Sequence, residues 1–286
     1  MMNAPKRGLT KLRLAIRKLQ RDPNQPHSIK ANLLTTVHSD LLQLSLAAKN
    51  FSLALDILAQ DILEIHRGSA QNTQSLLNAS SSSSSSLSVA AAQQQASFDS
   101  KHLLAYFYYA GCIYAALKQF DQSLFYLEQA LTMPASQVSQ IMVESYKKFL
   151  LVALISRGKL PALPKYTSRV VVNQIKPMCM AYHEIAAAFT SYDIDKLNAL
   201  IGKHQDALVQ DKNYGLAKQL QHAFFKKNIQ MLTKTFITLS LADMATKVKL
   251  PSARQAELYM LNMIKDGEIF ATINQKDGLI DFTSDF

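Results

Sequence analysis

A ten-residue phrase, Lys-x-Phe-x-x-(Ala/Ser)-Leu-x-x-Leu, occurs at 49–58 and again 69 residues later at 118–127. Each copy follows an apolar stripe at helical spacing. Before the first, Ile29, Leu33, Val37, Leu41, Leu44 and Ala48 recur at three- and four-residue steps, which predicts one long helix. Before the second, 103–117 reads as helical. In both places Lys-x-Phe interrupts and a new helix begins at the phenylalanine, while the small residue, Ala54 or Ser123, permits close packing of the pair. Helix pairs of this kind bury a face only by stacking on their neighbours. A weaker third copy turns at Gly158-Lys159-Leu160 and a fourth near Tyr192-Asp193-Ile194.

Between the first two copies lies a Ser/Gln/Ala-rich stretch, 68–98, with an unbroken serine run at 80–86. Such a composition cannot bury enough surface to offset its ordering entropy, so a flexible loop is expected there. A phosphorylation role is conceivable, and an insertion without function accounts for it more simply. Ahead of the repeats, 6–21 forms a basic amphipathic helix with Leu9, Leu12, Ile16 and Leu19 on one stripe. An acid-poor helix of this kind also fits a mitochondrial presequence, but its stripe continues the style of the following helices and favours a first solenoid helix.

The last 35 residues change character. Ser252 caps a helix running to about Lys265, Asp266-Gly267 stops it, and two short alternating runs follow around a Lys276-Asp277-Gly278 turn. The first run, 268–274, places Ile269, Ala271 and Ile273 on one face; the second, 279–282, adds Ile280 and Phe282. With an earlier helix at 241–248 after Ser240, the order is helix–helix–hairpin, a winged helix. The fold class expected is therefore mostly α: a right-handed, tetratricopeptide-like helical-repeat solenoid ending in a C-terminal winged helix with a small β-hairpin. Its parts are N-terminal repeats over 1–67, the Ser/Gln-rich loop over 68–98, further repeats over 99–225 and the winged helix over 226–286.

A winged helix either reads DNA or joins proteins, and charge bears on the choice. The net +10 divides into +7 over 1–30, −3 over 31–140 and +6 over 141–286, yet 240–286 holds five bases and seven acids. The element that would face phosphates is not basic. Its second helix turns Ala253, Ala256, Met260 and Ile264 inward, with Leu261 and Met263 at the margins. Arg254, Gln255, Leu258, Asn262 and Lys265 point outward. Two bases beside Glu257, Asp266 and Glu268, with an exposed leucine, suit protein contact better than a groove. The 268–274 edge is open to strand addition from another chain.

Catalytic patterns are missing: the chain has no Gly-x-x-x-x-Gly-Lys, no Gly-x-Gly-x-x-Gly and no His-Glu-x-x-His. His183-Glu184 lacks the second histidine a turn later. His38-Ser39-Asp40 has the residue types of a triad, but consecutive helical positions point about 100° apart. His66, His102, His204 and His222 show no ligand spacing. Cys112 and Cys179 sit in apolar helical context and read as buried free thiols. The aromatic run 106–109 is more often core than a ligand cage. No apolar run approaches the ~20 residues needed to span a bilayer, and no secretory apolar region follows the basic N-terminus.

Helical repeats running into a C-terminal winged helix resemble the PCI-domain scaffold family. Within it, LLQLSLAAKNF (41–51), SQIMVESYKKFLLVALISRGKLPALPKYTS (139–168), KKNIQMLTKTFITLSLADMATKV (226–248) and GEIFATINQKDGLIDF (267–282) are similar to the third subunits of the COP-nine signalosome. The likeness covers 6–282 apart from the serine-rich stretch. It implies a non-catalytic scaffold without cofactor or metal, in the nucleus and cytoplasm. The complex concerned removes a ubiquitin-like modifier from cullins in the ubiquitin pathway, through a metal centre in another subunit. It also implies other PCI subunits as partners in a hetero-oligomer, with winged helices packed edge to edge. The matching positions here are Glu268, Ile269, Phe270, Ala271, Thr272, Ile273 and Asn274, with Leu279, Ile280 and Phe282. No nucleic-acid or membrane partner is implied. Family members begin upstream with more repeats and continue past the wing into a helical bundle. The chain departs at both ends, so the likeness carries wing contacts and not bundle contacts. The alternatives are a PCI scaffold of the proteasome lid or a translation initiation complex, and a nucleic-acid-binding winged-helix protein leaning on Arg254 and Lys265.

Overall fold

The computed structural model describes residues 4–20, 33–60, 62, 64–65, 100–274 and 276–282. The Ser/Gln-rich segment 68–98 and His66 lie outside them. The described elements are mostly helical and fall into two compact units, one comprising Met1–Ala135 and Ser139–Ser145, the other Ser136–Val138 and Tyr146–Phe286. The division falls inside a single helix, Gln140–Arg157.

In the first unit α1 (Ala4–Gln20) packs on α2 (Thr36–Ala48), followed by the short α3 (Ser52–Leu58). Next, α4 (Ser100–Ala116), paired with α5 (Phe120–Thr132), packs on α2. The basic N-terminal helix buries Leu9 and Ile16 of its predicted stripe in the same core as Leu41, Leu42, Ala54, Leu58 and Ile113. It is a layer of the unit, held by apolar contacts worth roughly 2 kcal/mol per buried leucine or isoleucine. The aromatic run belongs to that core too. Tyr106 is buried and meets Phe107 edge-on at 5.8 Å, while Tyr114 stacks on Tyr126 of α5 at 5.4 Å. Cys112 is partly buried and Cys179 buried, and neither is in a disulfide.

One expected helix is shorter than its apolar spacing suggested. Leu33–Leu34 forms a strand, β1, paired in parallel with β2 (Glu64–Ile65), and α2 begins only at Thr36. Thr35 is the reason. It sits in extended conformation (φ −120°, ψ 166°), and the His38 ring reaches back to accept its N–H through Nδ1 at 3.1 Å. Histidine thus fills the place that Glu or Gln takes in a capping box. The neighbouring Ser39 hydroxyl donates to the Thr36 carbonyl at 2.7 Å, so the would-be triad is a helix start.

His38 carries a pH prediction. Burial holds its imidazole below the ordinary 6.5, and Nδ1 needs a free lone pair to accept the Thr35 N–H. The cap is intact above 6.5. As pH falls below that value the unfolded chain takes the proton first, and stability drops until the folded-state imidazole also protonates. His38→Gln, which keeps a side-chain acceptor without titrating, should flatten this part of the acid dependence. Urea denaturation at about pH 7.5 and about pH 5.5 measures it; an unchanged slope in the variant would sink the assignment.

The repeated phrase has a backbone meaning. Lys49 and Lys118, its first residues, both occupy the left-handed region (φ 51° and 61°) just past a helix end, at Ala48 and at Ala116. Each is followed by a residue whose N–H reaches five back, Asn50 to Ser45 and Gln119 to Tyr114, at 3.1 and 2.9 Å. This is the Schellman closure, usually built on glycine. Tyr192, Lys212 and Lys249 hold the same conformation further on. Beyond the turn the small residue acts as expected: Ser123 donates from Oγ to the Gly111 carbonyl at 2.8 Å, fixing a close crossing of α4 and α5.

The second unit takes most of α6 (Gln140–Arg157), then a π-helical turn (Val171–Ile175) leading into the short α7 (Lys176–Met178). Pro177 explains the wide turn: it has no N–H to donate, and the Lys176 N–H instead reaches the Val171 carbonyl. The helices α8 (Met180–Thr190), α9 (Ile194–Lys203), α10 (Gln205–Gln210) and α11 (Tyr214–Thr235) follow. A polar network pins three of these elements. Lys147 of α6 pairs with Asp211 at 2.8 Å, and the Tyr182 hydroxyl of α8 donates to the same carboxylate at 2.7 Å. Asn213, fully buried, donates to the Tyr182 oxygen at 2.9 Å and accepts from Lys148 at 2.8 Å.

The winged helix closes the unit with β3 (Thr238–Ser240), α12 (Leu241–Val248), α13 (Ala253–Lys265), β4 (Ala271–Asn274) and β5 (Leu279–Phe282). The cap expected at Ser252 is present, accepting the Gln255 N–H, and Ser240 caps α12 in the same way by accepting the Asp243 N–H. The core holds Ile229, Leu239, Met244, Val248, Ala256, Met260, Met263, Ile269 and Ile280. Ile229 lies in α11, which runs unbroken through position 226.

Candidate functional site: the edge of the wing

The sheet has one strand more than the hairpin alone. Thr238–Ser240 pairs antiparallel with β5, Leu239 opposite Ile280, and β4 pairs on the other side, Ile273 opposite Ile280. The order is β3-β5-β4. A three-residue strand leaves almost no periodic trace in sequence, and only the buried Leu239 marks it. The consequence for function is direct. Both backbone edges of β5 are taken, so Leu279–Phe282 cannot accept another strand, whereas β4 is an outer strand.

The side chains sort accordingly. Thr272 and Asn274 are exposed, Ala271 and Ile273 are half-buried, and Phe270 and Leu279 are 52% and 40% exposed. Ile269, Ile280 and Phe282 are buried in the wing's own core, where they support the edge from beneath. Glu268 is held by Lys226 at 2.8 Å, with Asp266 3.3 Å from the same ammonium. Burial works against the charged Lys226, yet the two carboxylates outweigh it and raise its pKa. The strand itself spans 271–274, shorter than the run from 268, because Glu268 is still accepted into the helix end through its N–H on the Met263 carbonyl. The turn is rigid: Asn274 accepts the Lys276 N–H and donates to Asp277, and the Gly278 carbonyl accepts the Leu241 N–H.

An open groove of about 770 Å³ runs between β4 and α13, lined by Glu257, Leu261, Ile264, Ala271, Thr272, Ile273, Asn274 and Lys276. Two positions of α13 differ from the face read in sequence. Met263 points fully inward and Ala253 is exposed, which rotates Leu261 into the groove at 48% exposure, beside Leu258 at 60%. The outer face therefore carries two leucines among Arg254, Gln255, Asn262 and Lys265. An apolar helix face alongside an open strand edge is the geometry of strand addition with side-chain pockets.

The described histidines of the second unit are occupied locally. His204 bonds Glu184 at 2.8 Å, His222 meets the Tyr259 hydroxyl at 2.7 Å, and His183 meets the Tyr146 hydroxyl at 3.2 Å. Among the described residues no group of three or more His, Cys, Asp or Glu side chains is placed to hold a metal ion. No described helix is long and apolar enough to cross a membrane.

Two family profiles match the chain. One, described as COP9 signalosome complex subunit 3, N-terminal helical repeats, covers residues 1–171; the other, the PCI domain, covers 201–284 and includes the whole wing. Curated relatives include COP9 signalosome complex subunit 3 of Drosophila melanogaster, 43% identical over 273 residues, 95% of this chain and 58% of that protein. The subunit of the same name in Dictyostelium discoideum is 35% identical over 285 residues, 100% of this chain and 60% of that protein. The chain thus spans about three fifths of the length of these relatives. By the repeats that fill its first half and the PCI wing that ends its second, the chain belongs to the COP9 signalosome subunit 3 family.

Proposed function

We propose that the chain is a non-catalytic scaffold of the COP9 signalosome, the complex that removes the ubiquitin-like modifier from cullins, working in the nucleus and cytoplasm. It joins other PCI-domain subunits through its winged helix. The observation that supports this reading is the outer strand β4 beside the groove that Leu261 and Ile264 line. Thr272 and Asn274 flank an unextended backbone edge, and a partner strand laid along it would bury Leu261 and the half-buried Ile273. Phe270 and Leu279 stand at the two ends of the hairpin and widen the contact.

Affinity purification of the chain from cells tests it. Wild type should recover other PCI-domain subunits. Leu261→Asp and Ile273→Asp should each recover roughly tenfold less, since a charge desolvated at such an edge costs at least ~1.4 kcal/mol. Leu261 is half exposed, so its variant should melt like wild type and separates lost binding from lost folding. If wild type recovers none of these subunits, or both variants recover them fully, the wing edge is not the joint.

A further inference from the structure

Between Ser145 and His183 the chain carries seven lysines and arginines and no acidic residue. Lys147 and Lys148 are engaged inside the network around Asp211 and Asn213. The other five, Arg157, Lys159, Lys165, Arg169 and Lys176, are exposed. Among the described residues, Arg157, Lys159, Lys165 and Arg169 have no carboxylate partner. Arg169 and Lys176 are separated by only ~10 Å of helical rise, about one Debye length at physiological salt. The positive charges reinforce one another there.

The surface is also apolar. Tyr166, Val172 and Met178 are 71%, 49% and 61% exposed, interleaved with the bases. It is firmly seated. Val171, Ile175 and Cys179, at four-residue steps, are buried at 0%, 0% and 1%, so the stripe beside them, Val172, Lys176 and Met180, faces outward. Upstream, the Thr167 N–H closes a turn on the Pro164 carbonyl at 3.0 Å, and the Val171 N–H closes on that of Ser168. A preformed surface loses little conformational entropy when it binds.

Basic residues alone would also suit a nucleic acid. Sequence-tolerant nucleic-acid surfaces, however, pair their charges with several aromatic platforms for base stacking. Here one tyrosine is accompanied by valine and methionine, which pack against aliphatic and aromatic side chains. We propose that 165–176 docks an acidic segment of a partner protein. Its carboxylates are taken by Lys165, Arg169 and Lys176, and its apolar side chains by Tyr166 and Val172. This surface is separate from the wing edge, and the two readings stand or fall independently.

The test uses the whole chain and a fluorescein-labelled peptide of about 16 residues in which Asp/Glu pairs alternate with Leu and Phe. A peptide with Lys in place of the acids and a labelled oligothymidylate serve as competitors. Anisotropy titrations should show the acidic peptide bound, with affinity falling as salt rises from about 50 to about 300 mM. Lys165→Glu/Arg169→Glu should weaken binding roughly tenfold or more and reduce the salt slope. Tyr166→Ala/Val172→Asn should weaken it with the salt slope kept, and Lys265→Glu on the wing should leave it unchanged. Circular dichroism melts confirm that the exposed substitutions fold, and Lys165→Arg/Arg169→Lys should restore binding. The proposal is overturned if the acidic peptide does not bind, if the reversal leaves its affinity intact, or if oligothymidylate binds more tightly than the peptide.

Discussion

Asp211→Ala is expected to destabilise the second unit by about 3 kcal/mol, near the lower end of what breaking a buried ion pair costs. Lys147 and Asp211 keep only 13% and 16% side-chain exposure. Removing the carboxylate leaves an ammonium with little water and takes away the 2.7 Å bond that the Tyr182 hydroxyl donates to it. Through Tyr182 the loss reaches Asn213, which is fully buried. Asp211→Asn should lose less, because an amide oxygen can still accept from one of the two donors. Lys147→Met/Asp211→Leu should recover part of the loss, since an apolar pair removes the buried ammonium while the Tyr182 hydroxyl still loses its bond to Asp211. Guanidinium denaturation followed by circular dichroism, with amide exchange in α8 and α11, reads the effect. An alanine variant within ~0.5 kcal/mol of wild type would mean that water substitutes for the network.

Gly111→Val is expected to cost the first unit about 3 kcal/mol. A Cβ at Gly111 would lie 2.7 and 2.8 Å from the Cγ and Cδ2 atoms of Leu127. Leu127 is wholly buried, so it has nowhere to move. Even Gly111→Ala should destabilise: an alanine gains about 1 kcal/mol in helix propensity, while overpacking a full core costs ~1–3 kcal/mol, and opening the crossing also stretches the Ser123 bond to the Gly111 carbonyl. Gly111→Ala/Leu127→Ala should be more stable than the sum of its parts, because the second change empties the space the first one fills. Strict additivity in thermal melts would show that the two helices are not in this contact.

Much of the fold is readable from residue pattern. The repeated Lys-x-Phe phrase marks two helix ends, and Ser240 and Ser252 mark two helix starts, because capping is local chemistry within four or five residues. The wing's pair of helices and its hairpin follow from the same kind of signal. The misjudged elements share a cause. Leu33 fits the helical stripe of α2 by spacing, but its backbone is committed to a strand partner at Glu64, some 30 residues away. Strand Thr238–Ser240 is defined by β5, about 40 residues on. Met263 rather than Ala253 turns inward because the wing sheet decides which face of α13 is covered. The candidate site divides in the same way. An alternating run before a glycine turn identifies a hairpin, yet nothing in 268–282 says which of its strands stays at the edge.

The sequence alone determined the class of structure and its punctuation: helical pairs, the interruptions between them, and a closing winged helix with more acids than bases. These are short-range properties, set by propensity, capping and the hydrophobic period. Only the tertiary structure decided that β5 is central and β4 outer, that Ile280 and Phe282 are support while Leu261 lines the groove, and that Lys147, Tyr182, Asp211 and Asn213 meet at all. Those facts depend on pairing and packing between residues far apart in the chain, where each contact is chosen by what else the core has already buried.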